Sequence, residues 1–172
     1  MIAMTLHDAA HAMEGRLVGR NRPFVGVSTD SRTLNIDELF VALRGERFDG
    51  HDAIDDAVTK GAAAAVVSAK PCQSHATPTI EVTDTRRALG LLARSWRRRF
   101  AFPVIGITGS NGKTTTKEMT AAILRERGAV LATRGNLNND LGVPMTIFGS
   151  HGASSGLKRP PMAAARAPQS ST

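Results

Sequence analysis

Residues 104–127 run from an apolar stretch, Val104-Ile105-Gly106-Ile107, through a glycine-rich turn, Gly109-Ser110-Asn111-Gly112, into a helical pattern that opens on Lys113-Thr114. No other feature restricts the fold as much. A short run of this kind suits a strand buried on both faces of a parallel sheet, and a parallel strand needs a crossover, here the helix expected over 113–127. Thr116, Met119 and Ile123 are expected on the inner side of that helix, Gly128 stops it, and 129–132 is expected as the next strand of a βαβ unit. Glycines let the backbone turn so that successive N–H groups converge on an anion, and the helix N-terminus adds partial positive charge. Gly109, Ser110, Asn111, Gly112, Lys113, Thr114 and Thr115 are therefore the candidate phosphate-binding residues. Lys113 is placed to reach the outer phosphates of a nucleotide, and the Thr114 hydroxyl to hold Mg²⁺. The usual motif has one more glycine, where this chain has Ile107, so only the shorter G-x-x-G-K-T is present. A purely structural glycine turn is the competing reading.

The remainder alternates in the same manner. Helices are expected over 6–13, 53–60 and, from Asp84 as N-cap, along Leu89, Leu92, Trp96 and Phe100, which share one face. Strands are expected over 24–27, 39–43, 63–67 and 79–82. Alternation of strands and helices of this length predicts an α/β fold. Pro103 opens a new pattern, which divides the chain into a small α/β unit over 1–102 and the first βαβ unit of a second domain over 103–148. Beyond Phe148 there is almost no large apolar residue and no periodicity, so 149–172 is expected to be disordered.

Composition limits the classes available. Hydrophobic content of 41% excludes a wholly disordered chain, and no apolar run is long enough for a membrane span. The first twenty residues hold His7, Asp8, His11 and Glu14 and lack a signal-peptide core, which predicts a cytoplasmic protein. Cys72 is the sole cysteine, so no internal disulfide forms. The net charge is +7, of which +3 comes from Lys158, Arg159 and Arg166 in the tail. Six arginines lie between Arg86 and Arg99, but no recognition motif accompanies them, so nucleic acid is not an expected partner. His7, His11, His75 and His151 have no metal-ligand spacing.

The segment Ile107-Thr108-Gly109-Ser110-Asn111-Gly112-Lys113-Thr114-Thr115 resembles the ATP loop of the Mur ligases, the amide-forming enzymes of peptidoglycan precursor synthesis. Three further stretches are similar to that family. Ser28-Thr29-Asp30-Ser31-Arg32 resembles its uridine-nucleotide segment, and 39–51 resembles the block that follows it. Gly135-Asn136-Leu137-Asn138-Asn139-Asp140-Leu141-Gly142-Val143-Pro144 is most similar to the branch that adds D-alanyl-D-alanine to a UDP-muramoyl-tripeptide. The resemblance covers 6–148. It implies an ATP-dependent carbon–nitrogen ligase with ATP and Mg²⁺ as cofactors. UDP-N-acetylmuramoyl-tripeptide and D-alanyl-D-alanine are the implied substrates. Units 1–102 and 103–148 then become the UDP-substrate domain and the start of the phosphate-loop ATPase domain.

The resemblance places Ser31 and Arg32 at the uracil and diphosphate end, where a hydroxyl and a guanidinium are suitable partners. A local turn around Asp30 explains the same residues structurally. Asn138 and Asn139 are implied as substrate contacts, with loop-structural asparagines as the alternative, and His51 is as well explained by a turn leading into a helix. No Asp or Glu follows Asp140, whereas the family carries an acidic metal partner further on. The tail is the pattern expected of a frameshift or truncated reading, and of a chain without ligase turnover. A non-catalytic UDP-substrate-binding unit, a related Mur or polyglutamate-type ligase, and a basic interaction protein are the other readings.

Overall fold

The apolar runs at 39–43, 63–67 and 79–82 are neighbouring strands of one sheet, flanked by helices on both faces. The computed structural model describes residues 2, 4–46, 48–68, 77–101, 103–133 and 139–149. In chain order the elements are β1 (Met4–Thr5), α1 (Leu6–Ala12), β2 (Arg16–Val18), β3 (Pro23–Phe24), β4 (Gly26–Ser28) and β5 (Glu38–Val41). A 3₁₀ turn (Gly50–Ala53) leads into α2 (Ile54–Thr59), followed by β6 (Ala64–Val67), β7 (Thr79–Glu81), α3 (Thr85–Arg97), α4 (Lys113–Arg125) and α5 (Gly142–Phe148). The main sheet has five strands in the order β2-β7-β6-β5-β4. Strands β4 to β7 are parallel, and β2 closes one edge antiparallel to β7. This is the expected α/β architecture.

Period-two alternation explains how the sheet is covered. Leu39 and Val41 of β5, with Ala64 and Val66 of β6, join the cluster that holds Leu6 and Ala9 of α1 and Leu89 and Leu92 of α3. Phe40, Ala65 and Val67 enter the opposite cluster against Ile54 and Ala57 of α2. Asp84 caps α3 as expected, its Oδ1 accepting from the N–H groups of Arg86 (2.8 Å) and Arg87 (3.1 Å). Thr5 and Asp8 form a reciprocal capping box on α1. The strand expected over 24–27 is divided at Val25: Phe24 pairs with Met4 in a two-stranded antiparallel sheet, while β4 joins the main one.

Two expected strands are corrected. Neither 104–107 nor 129–132 is a strand among the described residues. A strand exists through ladder partners, and these segments have none among the described residues, so the β-branched pattern of Val104 and Ile105 is left 67% and 59% exposed. The inner face expected for α4 is likewise corrected. Ala121 is its one buried residue, while Met119 and Ile123 are 61% and 67% exposed and Thr116 is exposed.

Helix α5 has no counterpart in the sequence reading. Gly142 and Pro144 disguise it, yet a proline in the first turn sacrifices no helical hydrogen bond. It packs on α3 and β4. Met145 enters the core beside Leu89 and Leu92, and Leu141 and Phe148 pack against the same cluster. Asn139 Oδ1 accepts from Gly142 N at 2.7 Å, and Asp140 Oδ2 pairs with Arg86 Nη1 at 3.1 Å. The unit drawn by pattern as 1–102 is thus completed in space by residues of 141–148. Of the expected disordered stretch, only Gly149 is described, ending α5 in the left-handed region; 150–172 lies outside the described residues.

Met145→Ala is expected to lower stability by about 2 kcal/mol, the cost of emptying a buried site at the core margin. Val143→Ala, at a 45% exposed position of the same helix, is expected to change it by less than about 0.5 kcal/mol. Denaturant titration followed by the fluorescence of Trp96 measures both.

Candidate functional site

Two groups of candidate residues are assembled at separate elements. The first is the glycine loop before α4. Gly109 (φ +148°) and Gly112 (φ +72°) take up left-handed backbone that a side chain would strain. Gly112 is the N-cap of the thirteen-residue α4, and no side chain caps that end. The helix ladder begins with Thr116 N–H to Gly112 O, at 2.9 Å, which leaves the N–H groups of 113–115 as the unsatisfied donors of a helix start. Lys113 folds back over the loop, its ammonium donating to the carbonyls of Gly109 and Ser110. Ser110, Asn111, Thr114 and Thr115 are exposed around it. N–H groups of the helix start, one ammonium and three hydroxyls form a donor set with no carboxylate, which fits the phosphates of a nucleotide.

Mg²⁺ has less support. Among the described residues no group of three or more His, Cys, Asp or Glu is placed to hold a metal. Thr114 contributes one hydroxyl, whereas Mg²⁺ takes several oxygens, usually carboxylate, phosphate or water.

The second group is the turn that leaves β4. Ser28 is buried, and its Oγ donates to Asp30 O (3.0 Å) and accepts from Asp30 N (3.3 Å). Asp30 Oδ1 accepts from Arg32 N at 2.9 Å, the Asx turn that was the structural alternative. The Arg32 guanidinium is 84% exposed and is held by Asp30 through Nε (2.9 Å) and Nη2 (2.7 Å). These bonds, side chain before backbone, hold the Asp30 carboxyl down to about 2. Ser31 is buried, and its carbonyl accepts from Lys60 Nζ at 3.0 Å. Lys60 also pairs with Asp56 at 3.1 Å. The Ser31 hydroxyl, and after it Lys60, lowers the pKa of Asp56. Lys60 was not singled out in the sequence, where its only signal is an Asp four positions earlier.

His51 is a clasp. Its Nδ1 meets Asp49 Oδ1 at 2.6 Å, and its Nε2 accepts from Ser68 N at 3.1 Å. An accepting Nε2 places the ring proton on Nδ1. The ring therefore ties the segment after β5 to the end of β6. Hydrogen bonds from the His51 backbone and ring, joined by Arg44, hold Asp49 down to about 2. Asn139 caps α5 through its Oδ1, which leaves its NH₂ for other partners. Asn138, with Cys72, His75 and His151, lies outside the described residues.

Two family models match the chain: "Mur ligase family, catalytic domain" over residues 23–97 and "Mur ligase middle domain" over 107–153. The UDP-N-acetylmuramoyl-tripeptide--D-alanyl-D-alanine ligase of Escherichia coli is 48% identical over 148 residues, covering 86% of this chain and 32% of that relative. Its namesake from Bacillus subtilis is 40% identical, with 86% of this chain and 33% of the relative covered. Among solved structures, MurF from Acinetobacter baumannii superposes with a TM-score of 0.80 at 39% identity, over 86% of this chain and 33% of that one. MurF ligase from Thermotoga maritima in complex with ADP gives 0.66 at 37% identity, over 72% of this chain and 28% of that one. The chain spans about a third of the length of the curated relatives it matches.

The depressed carboxylates fix a pH dependence. A carboxyl whose folded value lies near 2 and whose ordinary value is 3.8 adds stability in full above about pH 4, and loses it as pH falls toward 2. Asp30→Asn and Asp49→Asn are each expected to lower stability at pH 7 and to flatten its decline between pH 4 and 2. Denaturation midpoints measured across that window test this; an undiminished slope in the double variant would refute it.

Proposed function

The chain belongs to the Mur ligase family, and from that premise we propose that it carries the substrate turn and phosphate loop of an ATP-dependent carbon–nitrogen ligase. The reaction we infer joins D-alanyl-D-alanine to UDP-N-acetylmuramoyl-tripeptide during peptidoglycan precursor synthesis. The observation that carries the reading is the pairing of two anion-suited sites on one chain, in a sequence 40–49% identical to ligases of that name over most of its length. In this proposal 1–102 supplies the UDP-substrate unit and 103–148 the start of the ATP unit. A cytoplasmic location is part of the same reading, in keeping with a chain of one cysteine. Among the described residues no helix is long and apolar enough to cross a membrane.

ATP supplies the phosphoryl group that activates the tripeptide carboxylate for attack by the D-alanyl-D-alanine amine. On this reading each residue has its own task. The N–H groups at the start of α4, with Gly109, Ser110, Asn111 and Gly112, orient the phosphates. The Lys113 ammonium leaves the Gly109 and Ser110 carbonyls and offsets charge on the transferred group. Thr114 offers its hydroxyl to Mg²⁺, which would neutralise further phosphate charge, and Thr115 offers a second hydroxyl. At the other site Ser31 and Arg32 hold the nucleotide diphosphate, with Asn138 and Asn139 as further substrate contacts. For the 172-residue chain itself, binding rather than turnover is expected. Ala121 is the one buried residue of helix α4, and phosphoryl transfer rests chiefly on positioning.

Calorimetry of the chain with UDP-N-acetylmuramoyl-tripeptide and, separately, ADP tests the proposal. Arg32→Ala is expected to weaken the first ligand roughly tenfold and leave the second unchanged; Lys113→Ala is expected to do the converse. Binding of both ligands unaffected by both variants would sink the assignment of sites.

A further inference from the structure

We propose that Lys60 is a positioning residue for the recognition turn 28–32, holding the Ser31 backbone where the adjoining Arg32 is presented to a nucleoside diphosphate. This rests on the reading that Ser31 and Arg32 bind the diphosphate. Strand β4 ends at Ser28 and the backbone is next tied to its neighbours at Asp37, so no sheet ladder fixes the backbone of 29–36. Much of the support of this stretch is local, from Ser28 and Asp30 to their near neighbours in sequence. Lys60 differs because it reaches across from the end of α2, twenty-nine residues away in sequence, and donates to the Ser31 carbonyl at 3.0 Å. Its own place is fixed, since its N–H donates to Asp56 O at 3.0 Å and its ammonium to Asp56 Oδ2 at 3.1 Å. Ser31 is therefore held at its carbonyl by an ion pair at the end of the neighbouring helix.

Charge gives this grip a function beyond stability. The turn and its support hold two cations, Arg32 and Lys60, against two carboxylates, Asp30 and Asp56. Their sum is zero, so these four groups add little long-range attraction for a diphosphate, and the turn's contribution depends on donors already held in place. A turn that loses its lateral anchor presents the same residues with less order, and affinity falls without any loss of a contacting group.

The experiment is a double-mutant cycle on the full chain, with UDP as the titrant and binding read by calorimetry beside a thermal melt. Lys60→Met is expected to weaken UDP about tenfold, and Lys60→Arg, which keeps a donor at that reach, to restore most of it. In an Arg32→Ala background the Lys60→Met penalty is expected to shrink below about twofold, because the anchor then presents nothing. Lys60→Gln replaces Lys60→Met in the cycle if the latter does not fold. If Arg32→Ala weakens UDP and the Lys60 variants do not, the inference fails and the turn assignment stands. If the penalties simply add and follow the melting temperature, Lys60 is only structural and the inference is overturned. If Arg32→Ala itself has no effect, the turn is not the ligand site, and the inference falls with that reading.

Discussion

Burial of β5 and β6 on both faces is the constraint from which the rest follows. Leu39 and Val41 on one side and Phe40 on the other are fully buried, and Ala64, Ala65, Val66 and Val67 behave alike. A strand apolar on both faces has to be covered twice, so α1 and α3 take one side and α2 the other. The small side chains of β6 let those layers approach closely. Parallel pairing in turn demands a crossover between β5 and β6, and α2 is that crossover. Its C-terminal end delivers Lys60 to the turn leaving β4. The chemistry of the turn is thus a consequence of the sheet.

The same cover explains the placement of α5. Helices α1 and α3 leave part of that face open beside β4, and Met145 fills it, with Leu141 and Phe148 around it. Asp140 then meets Arg86, whose backbone N–H is already used by the Asp84 cap. One short stretch of α3 therefore organises both its own start and the return of the chain from the phosphate-loop segment. Both ends of 103–133 lead to elements of the same core, through α3 before it and α5 after it. The loop belongs to a segment held at two points, although α4 buries only Ala121.

Legibility in the sequence followed the range of the forces involved. Asp84 as a cap, the face of Leu89, Leu92 and Trp96, and the buried runs of β5 and β6 are local or periodic signals, and all were readable. The glycine turn and the helix start at Lys113 were readable for the same reason: the spacing of Gly109 and Gly112 sets the left-handed backbone there. Strands at 104–107 and 129–132 were misread, because an apolar β-branched run specifies a strand only beside a partner edge. Helix α5 was missed because Gly142 and Pro144 are poor helix formers in isolation, and packing of Met145 overrides that preference. Lys60 was invisible because its partner Ser31 is distant in sequence and is met through a backbone carbonyl, which no side-chain pattern records.

Both candidate sites share one physical arrangement. Each presents a cation already satisfied by a weaker internal acceptor: Lys113 by the carbonyls of Gly109 and Ser110, Arg32 by the Asp30 carboxylate. An unpartnered cation on an exposed loop samples many rotamers, and ordering it at the moment of binding subtracts from affinity. A cation parked on a neighbour is ordered in advance, and exchange of a carbonyl or a screened carboxylate for a phosphate dianion still favours the ligand. The two parking places differ in strength. Carbonyls release Lys113 readily, which suits the part proposed for it in phosphoryl transfer. Asp30 holds Arg32 through side chain and backbone together, so the turn keeps its shape whether or not the guanidinium moves. Fidelity of shape at the turn and mobility of charge at the loop are what the proposed recognition and transfer roles respectively require.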